Sequence, residues 1–130
     1  MKKPSEGKIE SPRKGEALNV SRILREVPKN EAFYFFTSIG DYTGEYAISF
    51  GDFVRTINEV DTKSIEFHLN RGDFEKWFTQ TLEDKELAQE IKNLQKQNLT
   101  GESLRQKLHA IVSKRHEQLE QQLERMLQTN

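Results

Sequence analysis

His68, Arg71 and Asp73 fall within one six-residue window, and Ser64 stands one helical turn before His68. These are residue types that carry acid–base and nucleophilic chemistry. A histidine exchanges protons near neutral pH, a carboxylate can orient it, and a hydroxyl within hydrogen-bond reach can become a nucleophile. The same residues also close a core. On that reading Asn70 caps a new helix with Asp73 three positions on, Arg71 pairs with Glu75, and His68 donates to a carbonyl or carboxylate near a helix end. Trp77 is then core. The chain has no Gly-x-Ser-x-Gly elbow to expose a nucleophile. The structural reading is therefore preferred, and no residue is assigned a catalytic role.

Metal and cofactor chemistry find little footing. There are no cysteines and only three histidines. His109 and His116 lie two turns apart on any helix, too far for the usual i,i+4 chelate. Gly40 and Gly44 bracket a turn and match no phosphate loop. No metal and no cofactor are expected.

The elements that hold these residues can be read from periodicity. Leu18, Ile23, Leu24 and Val27 suit a short helix ending before Pro28. Residues 31–38 read as a strand with Phe33 and Phe35 on one face and Tyr34 and Phe36 on the other. A turn over Gly40–Gly44 leads to a second strand from Glu45 to Ile48. A two-stranded hairpin needs helices or another chain to pack on, and with one helical layer an aromatic face is left for a partner. Ser49 opens the next helix, with Asp52 at the capping-box position. Residues 64–69 alternate like a strand, yet six residues do not exclude a helix. Phe74, Trp77, Phe78 and Leu82 form one helical face, and Leu87, Ala88, Ile91 and Leu94 another. Residues 102–128 form a long amphipathic helix striped by Leu104, Leu108, Ile111, Val112, Leu119, Leu123, Met126 and Leu127. Its narrow last third can dock on the domain, pair with a second copy, or fray.

Composition bounds the rest. The 130 residues are 34% apolar and 32% charged, which is one domain lean in core residues and helped by eight phenylalanines. Residues 1–30 carry net +4, residues 31–100 net −6 and residues 101–130 net +1. The acidic middle argues against phosphate-backbone binding as the main task. Residues 1–16 hold a single aliphatic, Ile9, and read as a disordered basic tail that can touch nucleic acid. No apolar run reaches membrane-spanning length, and the start lacks a signal-peptide core, so a cytoplasmic protein is expected.

One stretch carries a resemblance. Phe33-Tyr34-Phe35-Phe36, Ala47-Ile48-Ser49-Phe50 with Phe53, and the string His68-x-x-Arg71-x-Asp73-Phe74-x-x-Trp77 resemble a family of small archaeal and bacterial domains of unknown function, over about residues 31–95. The resemblance implies that residues 62–69 are helical. It implies a prokaryotic protein and supplies no activity.

The expectation is thus an α+β, mostly helical domain. One aromatic two-stranded hairpin packs on four or five helices, with a tail over 1–16, a globular core over 17–100 and a long helix over 101–130. The leading function is a non-catalytic protein-interaction or adaptor domain. Its candidate binding residues are His68, Arg71, Asp73, Trp77, Tyr34, Phe36 and Tyr42. The partner is another protein or a second copy, met through the hairpin or the C-terminal helix. The alternatives are a nucleic-acid or ribosome-associated protein acting through the tail, and an enzyme using His68, Arg71 and Asp73.

Overall fold

The computed structural model describes residues 14–128. The expected tail falls outside them except for residues 14–16, which begin helix α1 (Lys14–Leu24). Val20 and Ile23 enter the core from α1, which packs on the C-terminal helix. The helix stops short of the expected Val27. That residue leaves it to donate its N–H to the Ile48 carbonyl at 2.8 Å, with its side chain buried. Pro28 then precedes a 3-10 turn, Lys29–Glu31.

Strands β1 (Phe33–Ser38) and β2 (Asp41–Ala47) form an antiparallel hairpin. The expected five-residue turn over Gly40–Gly44 is a correction: the reversal is made at Ile39 and Gly40, and β2 already starts at Asp41. A bulge absorbs the difference in length. Register passes from Tyr34↔Tyr46 to Phe36↔Tyr42, so β2 spends two more residues than β1 over that interval. Gly44 takes φ +91° there, a conformation costly for any side chain. Thr43 fills the broken ladder. Its hydroxyl donates to the Phe35 carbonyl at 2.7 Å and accepts from the Glu45 N–H at 3.1 Å.

Helix α2 (Phe50–Ile57) starts as the sequence predicts, with Ser49 Oγ accepting from the Asp52 N–H at 3.1 Å. The Asp52 carboxylate reaches back to the Ile48 N–H at 3.2 Å. Residues 64–69 lie inside helix α3 (Thr62–Arg71), in agreement with the helical implication of the resemblance. Ser64, Ile65, His68 and Leu69 are buried at helical spacing. Phe67, which made the pattern look strand-like, faces elsewhere.

Gly72 ends α3 in the left-handed region at φ +78° and returns its N–H to the His68 and Leu69 carbonyls. Helix α4 (Asp73–Lys76) follows directly and runs into a π-helical turn, Trp77–Thr81. The expected cap at Asn70 is another correction. Asn70 is still within α3, its carbonyl accepts from Gln95 Nε2 at 3.1 Å, and α4 begins with no side-chain cap. Glycine made the break that capping was expected to make.

Helices α5 (Lys85–Gln95) and α6 (Gly101–Gln128) complete the fold. Leu104, Leu108, Val112, Leu119 and Met126 are buried, so α6 docks on the domain against α1, α2, α3 and α5. Of its apolar stripe only Leu127, 69% exposed, stands clear. Arg115 on α6 grips Asp84, the α5 N-cap, through two nitrogens, both at 2.9 Å. Arg105 donates to the Ile57 and Val60 carbonyls at 2.8 and 2.7 Å, closing the end of α2. Phe53 sits at the centre, with ring centroids of Phe78, Phe74, Trp77, Phe35 and Phe33 all between 4.9 and 5.9 Å away. The result is an α+β domain, mostly helical, with one aromatic hairpin and six α-helices among the described residues.

Candidate functional site

Alternation along β1 decides what lies on each side of the hairpin. Phe33 and Phe35 are sealed in the core, while Tyr34 and Phe36 stay half-buried on the outer face. There they meet two residues of β2. Tyr34 stacks on Tyr46 at 5.5 Å and meets Tyr42 edge-on at 5.8 Å, and Phe36 lies 5.3 Å from Tyr42. Tyr42 is 45% exposed, Tyr46 39%, and Ile39 at the turn 77%. Among the described residues no α-helix seals this face. The 3-10 turn only borders it, with Tyr34 Oη donating to the Lys29 carbonyl at 2.7 Å and Lys29 Nζ 5.8 Å from the Tyr46 ring centroid.

Helix α3 runs beside β1, and His68 joins the two. Its ring is buried. Nε2 accepts from the Phe36 backbone N–H at 2.8 Å, and Nδ1 lies 2.8 Å from Asp73 Oδ2. The amide can only donate, so Nε2 carries no proton and Nδ1–H donates to Asp73. Burial holds the imidazole below its ordinary value of 6.5, against the pull of Asp73 toward the charged form. Both nitrogens are thus occupied in a strand-to-helix joint. Asp73 serves this joint and not its own helix.

Arg71 departs from expectation too. It pairs not with Glu75 but with Asp73, Nε to Oδ2 at 3.1 Å, and its guanidinium lies 5.1 Å from the Phe67 ring centroid. The side chain is half exposed. Ser64 Oγ, the one hydroxyl that could have served His68, is buried and makes no hydrogen bond among the described residues. A Ser64–His68 dyad is therefore not formed.

These residues enclose an apolar groove of about 370 Å³ between the hairpin turn and α3. Phe33, Tyr34, Phe36 and Phe67 form its walls, Ile39 its outer lip, and His68, Arg71 and Asp73 its polar end. Of the seven candidates, His68, Arg71, Asp73, Tyr34 and Phe36 converge here. Tyr42 does not line the groove but extends its wall through Phe36. Trp77 lies apart, in the core, its Nε1–H donating to the Glu31 carbonyl at 2.8 Å. Sequence reasoning missed Phe67 and Ile39. Phe67 could have been found as the apolar residue off the core face of α3, and Ile39 as an aliphatic placed at a turn. Among the described residues no cluster of His, Asp and Glu could hold a metal, and no helix is long and apolar enough to cross a membrane.

The fold and groove define a small hairpin-and-helix domain of α+β class. The chain belongs to the family of unknown function DUF5752, whose model matches residues 15–113. The resemblance to a family of unknown function seen over residues 31–95 is in keeping with this, and the match extends across α1 and into α6. Neither the curated proteins nor the solved structures give a match.

Proposed function

We propose that this domain is a non-catalytic binding module whose partner protein docks on the outer face of the hairpin and the adjoining groove. One observation carries the reading. Tyr34, Phe36, Tyr42 and Tyr46 form a contiguous, partly exposed aromatic face, and among the described residues the only other exposed large apolar side chains are Ile39 and Leu127. Exposed apolar patches of this kind mark interaction surfaces, and tyrosine and phenylalanine are enriched at interface centres. The state of His68 favours binding over catalysis. A base whose free lone pair already accepts a backbone N–H has none left for a substrate proton. The groove gives the surface a recess for one anchoring side chain, the usual form of an interface hot spot.

The test is differential affinity purification from the source cells with the full chain and with the double variant Tyr42→Asp/Tyr46→Asp. Both side chains lie on the outer face, away from the core, so the variant stays folded with a small loss from the cross-strand ring contacts, which a melting curve checks. A protein retained by the wild type and lost by the variant is the expected result. Identical recoveries would contradict the reading.

A further inference from the structure

We infer that the groove between β1 and α3 recognises an extended segment of the partner protein in which a large apolar residue is followed at once by a carboxylate. The inference rests on the binding reading above and gives it a chemistry.

The groove is apolar along its walls and carries charge at one end only, from Arg71 and Asp73. Asp73 is held through one oxygen, Oδ2, which accepts from both His68 Nδ1 and Arg71 Nε, while Oδ1 has no hydrogen bond among the described residues. Arg71 is half committed in the same way. Nε is its one hydrogen-bonding atom among the described residues, so both terminal nitrogens remain without an acceptor. Asp73 and the Phe67 ring hold the guanidinium in place, so little side-chain freedom is lost when it binds. A fixed guanidinium fork with unused N–H groups selects a carboxylate or other planar anion. The adjoining walls of Phe33, Tyr34, Phe36 and Phe67 select an apolar body joined to that anion. At about 370 Å³ the recess is near the lower end of ligand sites and suits one large side chain. It opens onto the tyrosine face, so the rest of the segment runs across Tyr34 and Tyr42.

The probe is a short peptide, acetyl-Gly-Ser-Gly-Phe with a free C-terminal carboxylate, compared with its C-terminal amide. Each is titrated into the isotopically labelled full chain and followed by amide chemical shifts. The free acid is expected to bind about tenfold tighter than the amide, as one charge-assisted hydrogen-bonded contact warrants. The shifts should centre on Phe36, Ile39, Gly40, Phe67 and Arg71. Arg71→Gln, at a half-exposed position, should abolish the preference for the acid while leaving the fold intact. Phe67→Ala should weaken both peptides. Equal binding of acid and amide, shifts that map elsewhere, or no binding at millimolar peptide would overturn the inference. If capture that depends on Tyr42 and Tyr46 persists while peptide binding fails, the carboxylate chemistry alone is wrong.

Discussion

His68 ties the hairpin to α3 and α4. Its neutral Nδ1–H tautomer bonds a backbone donor on one side and a carboxylate on the other. Protonation would set an N–H donor against the Phe36 N–H donor. The sign of the pH effect follows from the burial that lowers its folded value below 6.5. Above 6.5 the group is neutral folded or unfolded, and its contribution to stability is complete. As pH falls through the folded value the unfolded chain binds the proton first, and the contribution is lost. Urea unfolding at pH 7.5 and pH 5.0 should show the wild type losing more stability on acidification than His68→Gln. Equal losses would mean that the ring titrates freely. Truncation to alanine at pH 7.5 strands the Phe36 amide and should cost about 2–3 kcal/mol in the same measurement. The donation of His68 to a carboxylate near a helix end was legible in the sequence, but the second half of the joint was not. The spacing of His68, Arg71 and Asp73 allowed a catalytic pair, a cap or a joint, and the deciding partner, the Phe36 N–H, lies 32 residues away.

Among the elements, α6 shows how a stripe of apolar residues is apportioned. Leu104 to Met126 were legible as one helical face, because the spacing itself identifies them. What covers that face was not legible, since docking and pairing demand the same residues. The structure gives the face to α1, α2 and α3 and ties the helix to α5 by the Arg115–Asp84 bidentate pair. Asp84 is buried and also caps α5 through the Leu87 N–H at 3.2 Å. Removing one partner from such a pair leaves an uncompensated buried charge and typically costs about 3–5 kcal/mol. Thermal or denaturant unfolding of Arg115→Ala should show a loss of that order. A change under about 1 kcal/mol would mean the pair behaves as a surface bridge. The hairpin teaches a related lesson. Its two faces follow from alternation alone, but its turn was misplaced, because the bulge at Gly44 depends on the Thr43 hydroxyl replacing ladder bonds.

For the whole molecule, the lean apolar composition turns out to be concentrated rather than thin. Phe35, Phe50, Phe53, Phe74 and Phe78 are completely buried, and the helices pack around them. With the interior built from these rings, the aromatic side chains on the outer face of the hairpin are surplus to the core. That surplus is the basis for reading the domain as a binding module, and it is placed at the hairpin rather than at the C-terminal helix, where only Leu127 remains exposed from the stripe. The most direct measurement is photo-crosslinking in the source cells, with p-benzoylphenylalanine placed at Tyr42 in one variant and at Leu127 in another. Both sites are exposed, so neither substitution disturbs the core. A discrete protein adduct from position 42 and none of comparable yield from position 127 is the predicted result. Adducts from position 127 alone, or from neither position, would contradict the account.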